Sequence, residues 1–294
     1  MKPVAVQAGW GPLRREAGEL AARLPPLLVE AERIAATVAQ GVHGRRRVGS
    51  GESFWQFRRY SAGDHVAKID WRRSAKSSHL FVRETEWEAA QSVWLWRDTS
   101  ASMDYTSLAI SKRQRASVLA LALSILLVQG GERIASLGEH GSAQSGRSPI
   151  NRLAYLYSTQ ASGVESLPPV LPLPRHAQTV WLSDFFSDAR AIAERIKTYC
   201  AAGVKGHLLQ ILDPSEAEYG FRGRVRFEGV EDDLRLLAGR AEQLREDYQR
   251  RLAAHQDVLG EQTRRLGWTF AVHRIDHPPQ SALLALYAAM GAQA

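Results

Sequence analysis

From Glu88 to the end of the chain, short apolar runs alternate with longer stretches in which apolar residues return every three or four positions. That alternation is the pattern of strands feeding helices in a parallel α/β sheet. It predicts strands over Ser92 to Arg97, Glu132 to Leu137, Thr179 to Ser183, Lys205 to Leu212 and Trp268 to His273. Helices are predicted over Leu108 to Gln129, around Asn151 to Tyr157, and over Asp188 to Ala202, Glu231 to Leu266 and Gln280 to Met290, with a hairpin at Phe221 to Phe227. In the first strand Val93-Trp94-Leu95-Trp96 is apolar at every position, so both of its faces should be covered and it belongs in the middle of the sheet. Residues 89–294 are therefore expected to form one α/β domain with a doubly wound, mostly parallel sheet.

Residues 1–88 read differently. Leu20, Leu24, Leu27, Leu28 and Ile34 fall at helical spacing, and Pro25-Pro26 divides that helix in two. Phe54 to Tyr60 and His79 to Glu84 look extended, on either side of a polar turn at Gly63-Asp64. A small amino-terminal lobe of helix and β structure is predicted, whose aromatics, among them Trp55, Phe57 and Trp71, pack onto the main domain.

With 45% hydrophobic and 23% charged residues in 294, the composition is that of a globular protein. The longest apolar run, Val118 to Val128, covers 11 residues, whereas a bilayer-crossing helix needs about 20. Arg14, Arg15, Glu16 and Glu19 interrupt the amino end where a secretory signal would be apolar. A cytoplasmic protein is expected. The lone Cys200 allows no internal disulfide.

The net charge of +7 is concentrated. Between residues 45 and 76 stand Arg45, Arg46, Arg47, Arg58, Arg59, Lys68, Arg72, Arg73 and Lys76, against only Glu52, Asp64 and Asp70. Such a segment suits phosphates of nucleic acid or another polyanion, and it equally suits an acidic surface of the protein itself. Asp64 and Asp70, lying among arginines, read as ion-paired turn residues.

Directly after the central strand comes Asp98-Thr99-Ser100-Ala101-Ser102. Open α/β sheets bind ligands at the carboxyl edge of their strands, where this turn falls. One carboxylate and two hydroxyls on a single turn supply hard oxygen donors suited to Mg²⁺ or Mn²⁺. The same residue types also cap helices, which is the alternative reading. Val180-Trp181-Leu182 runs likewise into Ser183-Asp184, placing a second carboxylate at that edge if the sheet is parallel.

The arrangement of strand, D-x-S-x-S, helix and later strand with Ser-Asp resembles the metal-ion-dependent adhesion site of von Willebrand factor A domains. Upstream, Phe57-Arg58-Arg59-Tyr60 with Gly63-Asp64, then Ile69-Asp70-Trp71 and Ser74-Ala75-Lys76, is similar to the signature of domain-of-unknown-function family fifty-eight, with Lys76 where that family has Arg. Asp213-Pro214, Phe221-Arg222-Gly223 and the segment Tyr248 to His255 extend the likeness over nearly the whole chain. The resemblance implies a von Willebrand factor A-like sheet and a non-enzymatic adaptor or protein-binding module, linked to a MoxR-type AAA+ ATPase. It also implies that Asp98, Ser100 and Ser102 hold Mg²⁺ or Mn²⁺, with Asp184 acting through water and a partner's acidic side chain meeting the ion. The threonine that such sites carry between the two has no clear counterpart, and Ser148 is the nearest candidate.

Other motifs point elsewhere. His273-Arg274-Ile275-Asp276-His277 has the spacing of a metal clip but sits where a strand ends, which favours a structural role. Neither a G-x-x-x-x-G-K-[ST] phosphate loop nor a G-x-S-x-G elbow occurs in the sequence.

Overall fold

In the computed structural model, which describes residues 26–42, 54–61, 69–85, 90–139, 141–163, 165–229 and 235–292, the described residues form eight α-helices and nine β-strands. The amino-terminal part contributes α1 (Pro26–Val42), β1 (Phe54–Arg59), α2 (Trp71–Ser74) and β2 (Phe81–Thr85). The α/β alternation follows as β3 (Ser92–Arg97), α3 (Lys112–Gln129), β4 (Arg133–Ser136), α4 (Arg147–Thr159), β5 (Gln178–Ser183), α5 (Ala189–Ala201) and β6 (Lys205–Leu212). It closes with α6 (Pro214–Glu218), β7 (Val225–Glu228), β8 (Arg235–Ala238), α7 (Arg245–Arg265), β9 (Thr269–Arg274) and α8 (Pro279–Ala292).

Five strands pair in the order β4-β3-β5-β6-β9, and each pairing is parallel. The expectation of an α/β fold with a largely parallel sheet is met. In β3 successive side chains point to opposite faces, as a pleated strand requires. Val93 and Leu95 join the core under α1, α3, α4 and α8, while Trp94 and Trp96 join the core under α5 and α7. A strand apolar at every position is thus buried on both sides.

The apolar run that was too short to cross a bilayer lies in α3, where every residue from Arg115 to Leu127 is buried. It is covered by the sheet on one side and by α1, α4 and α8 on the others. No described helix is long and apolar enough to cross a membrane. α3 begins at Lys112 and not at Leu108, because Ser111 caps it: its hydroxyl accepts from the Gln114 amide and the Gln114 side chain accepts from the Ser111 amide. Such a box satisfies amides that the first turn leaves open.

α1 packs against α3 and α8, so this helix of the predicted amino-terminal lobe is part of the main core. Leu28, Ile34 and Val38 are its buried anchors, each contributing about 1.5–3 kcal/mol through lost water contact. The two segments expected to be extended form β1 and β2, which pair antiparallel.

Three expectations are corrected. The stretch from Glu231 is not one long helix: β8 pairs with β7, a 3₁₀ turn covers Ala241–Leu244, and α7 starts at Arg245. Mixed charge looked helical there, but the pairing of Val225 with Ala238 is non-local and Gly239 ends the strand. The hairpin correspondingly turns after Glu228 and not within Phe221 to Phe227. Trp71, expected under the main domain, is 60% exposed. Trp71→Ala should therefore shift stability by no more than about 0.5 kcal/mol. Urea unfolding checks this, and a loss above about 2 kcal/mol would mean that the ring is covered in the folded protein.

Candidate functional site

The parallel register sets the ends of β3 and β5 side by side. Arg97 pairs with Leu182, and the Asp98 amide donates to the Leu182 carbonyl at 2.9 Å, so Asp98 and Ser183 leave the sheet as neighbours. The Ser183 hydroxyl donates to Asp98 Oδ2 at 2.6 Å, and the Ser100 amide donates to Asp98 Oδ1 at 2.7 Å. Asp98, Ser100, Ser183 and Asp184 are buried, whereas Ser102 is half-buried. Ser102 Oγ donates to Asp184 Oδ2 at 2.7 Å and lies 3.1 Å from Ser100 Oγ. The Asp98, Ser100 and Ser102 turn and the distant Asp184 are therefore brought together.

The backbone that carries them is held from several sides. Gln210 Nε2 on β6 donates to the Asp184 carbonyl at 2.8 Å. Arg113 on α3 donates to the Thr99 and Ser100 carbonyls at 3.1 and 3.2 Å and to Asp104 at 2.8 Å. The loop after α4 approaches so closely that the Gly163 amide donates to the Thr99 carbonyl at 2.6 Å. A Cβ on Gly163 would sit 2.6 Å from Thr99 Oγ1, so a larger residue there would force the Thr99 side chain to move.

Ser148 does not belong to this cluster. It is exposed in the first turn of α4, whose last turn is the end that reaches the site: the Tyr157 carbonyl and Gln160 accept from Arg97. At 1.5 Å per residue the two ends of the 13-residue helix are about 18 Å apart. The loop before a helix was chosen in the sequence, but the helix runs so that the loop after it, with Ser162 and Gly163, meets the Asp98 turn.

Sequence reasoning missed Lys112 and Glu216. The Lys112 side chain is fully buried, with Nζ donating to Asp184 Oδ2 at 2.9 Å and to Glu216 Oε1 at 2.6 Å. Phe186 and Tyr105 rings lie 5.2 and 5.8 Å from the ammonium. Glu216 Oε2 accepts from the Asp213 amide at 2.9 Å, within the cap of α6. The available signal was a lysine directly after a helix-capping serine, where the helix dipole disfavours positive charge.

Burial pushes the Asp98 carboxyl above its ordinary pKa, and the bonds from Ser183 and Ser100 only partly offset this. Burial would lower the Lys112 pKa, but Asp184 and Glu216 outweigh it and hold the ammonium charged, above its ordinary value. Asp98 thus meets neutral donors alone, while Asp184 has a cation against it. Burial raises the Glu216 carboxyl as well, partly offset by Lys112; with all three carboxylates ionised, Asp98, Asp184 and Glu216 against Lys112 leave two negative charges. Oxygen donors and that charge fit Mg²⁺ or Mn²⁺. Among the described residues no three His, Cys, Asp or Glu side chains gather as a metal cage, so an ion here would need the serine hydroxyls.

The other candidates separate. His273 is buried in β9, with burial bringing its pKa down to about 4, while Asp276 pairs with Arg274 at 2.8 Å and His277 is exposed, so the supposed clip does not converge. Asp70 is not ion-paired in a turn but caps α2, accepting from the Arg73 amide at 2.9 Å. Of the basic segment, Arg59, Arg72 and Arg73 are exposed. Arg45, Arg46, Arg47, Asp64 and the side chain of Arg58 lie outside the described residues.

The family model for "Protein of unknown function DUF58" matches residues 56–258. An uncharacterized protein of Mycobacterium bovis is 26% identical over 260 residues, covering 81% of this chain and 79% of its own length. An uncharacterized protein of Mycobacterium tuberculosis matches to the same extent, 26% over 260 residues. Among solved structures, the conserved hypothetical protein BatB from Bacteroides thetaiotaomicron aligns with a TM-score of 0.37 and 13% identity, covering 69% of this chain and 98% of that one. An aerotolerance-related membrane protein from Bacteroides fragilis aligns with a TM-score of 0.36 and 15% identity, covering 69% and 100%.

Proposed function

We propose, from the premise that the chain belongs to the DUF58 family, that it is a cytoplasmic, non-enzymatic protein-binding module with a von Willebrand factor A-like domain. Its binding point is the carboxyl edge of β3 and β5, and a MoxR-type AAA+ ATPase is the partner we assign to it. The observation that carries this reading is the buried cluster of Asp98, Ser100, Ser102 and Asp184, in which Asp98 faces only neutral donors.

Ser100, Ser102 and Asp98 are the residues that would hold Mg²⁺ or Mn²⁺, with Asp184 behind them. The ion, when bound, supplies positive charge for an acidic side chain of the partner. Ser102 is partly exposed, and the exposed Phe186, two residues after Asp184, offers apolar contact to a partner. Binding is favoured over catalysis because the carboxylates are already engaged: Asp98 by Ser183 and the Ser100 amide, Asp184 by Ser102 and Lys112.

The test is capture of partners from native lysate by the full chain, with Mg²⁺ or with a chelator. A MoxR-type ATPase should be enriched with Mg²⁺ and lost on chelation. Capture that ignores the chelator but disappears with nuclease or rising salt would instead assign binding to nucleic acid at the exposed Arg59, Arg72 and Arg73, since phosphate contacts weaken steeply with salt.

A further inference from the structure

Lys112 is an expensive residue for its position. It is the first residue of α3, at the positive end of the helix dipole, and its side chain is withdrawn fully from water. Asp184 at 2.9 Å and Glu216 at 2.6 Å compensate its charge directly, with the Phe186 and Tyr105 rings beside them. Those two partners come from different elements, Asp184 directly after β5 and Glu216 from α6, and Asp184 belongs to the candidate ion site itself. A lysine that merely tied α6 to the sheet could do so through Glu216, whose other oxygen is already held by the Asp213 amide.

We propose that Lys112 is a built-in counter-cation of the site, and that it sets how strongly the site binds its divalent ion. This inference rests on the reading of Asp98, Ser100, Ser102 and Asp184 as an ion site. Lys112 holds Asp184 Oδ2 in the place where Ser102 also donates to it, so that one oxygen is fixed by a hydroxyl and an ammonium together. It also removes one unit of negative charge from the cluster and stands as a fixed positive charge beside any cation that enters. The consequence is a site that stays folded without an ion and binds one weakly enough to exchange it. Glu216 works in the opposite sense. By sharing the ammonium, it leaves Asp184 more negative than it would be with Lys112 to itself.

The two residues therefore predict opposite effects on Mn²⁺ affinity, measured by calorimetry and by electron paramagnetic resonance on the full chain. Lys112→Met should tighten Mn²⁺ binding at least about tenfold, because like charges in a poorly screened site repel strongly. It should also lower the thermal midpoint without ion and recover it with Mn²⁺, since Asp184 and Glu216 are then buried without a cation. Glu216→Gln keeps an oxygen for Lys112 and should weaken Mn²⁺ binding about tenfold. If Lys112→Met requires the ion to fold, its rescue by Mn²⁺ supports the same conclusion. A Lys112→Met protein with wild-type affinity, or one whose lost stability Mn²⁺ does not restore, overturns the inference and leaves the ion site standing. No Mn²⁺ binding by wild type and both variants at millimolar concentration overturns the ion site and the role of Lys112 together.

Discussion

Trp181→Ala should destabilise the protein by about 3 to 5 kcal/mol, the cost of removing a large aromatic from a core that cannot close around the gap. Trp181 has no exposed surface, and it stands on β5, between β3 and β6. Its ring meets those of Trp268, Tyr199 and Trp96 edge to face, at centroid distances of 4.8, 5.7 and 6.4 Å. Its Nε1 donates to Thr179 Oγ1 at 3.0 Å, and that hydroxyl donates in turn to the Trp94 carbonyl at 2.9 Å. Collapse is blocked because Trp268 already lies flat against Gly206, where a Cβ would come within 2.2 Å of the ring. Urea unfolding would show the midpoint falling at unchanged slope. A loss below about 1 kcal/mol would mean that neighbouring rings move into the space.

The second large effect is on the site. Asp98→Asn should weaken Mn²⁺ binding by more than about a hundredfold, because it removes a buried carboxylate of the cluster whose hydrogen-bond partners are all neutral and leaves a neutral amide in a site built from hard oxygens. The fold should survive, with stability changed by less than about 1 kcal/mol. The Asn oxygen can accept from the Ser100 amide in place of Asp98 Oδ1, and its NH₂ can donate to Ser183, whose hydroxyl both donates and accepts. Calorimetry with millimolar Mn²⁺ decides the first part and chemical unfolding the second. Equal affinity in the wild type and the variant would refute a role for Asp98 in ion binding. Unfolding of the variant would mark Asp98 as a structural cap for the turn after β3.

How much of this was legible depended on the range of the interactions. β3 and β6 fall where the apolar pattern placed them, and the other strands of the sheet differ by a residue at their ends. A strand buried on both faces leaves a continuous apolar run, and a capped helix leaves Ser111 and Gln114 three apart, so both are written locally. The hairpin of β7 and β8 was misread because its stability comes from pairing residues 13 apart, Val225 with Ala238, while its charges resemble those of a helix.

The site shows the same division. The sequence by itself determined that Asp98, Ser100 and Ser102 share one turn at the end of a central strand, and that Ser183-Asp184 ends another. Local backbone geometry and strand direction suffice for that. Only the tertiary structure decided which groups meet there: Ser183 turned onto Asp98, Lys112 folded between Asp184 and Glu216, and the loop after α4 at the Asp98 turn in place of Ser148. Those contacts join residues separated by 64 to 104 positions and depend on how helices are laid across the sheet. The charge balance of the site is set by that packing, because burial makes each unpaired charge costly and leaves the choice of partner to whichever element is brought within reach.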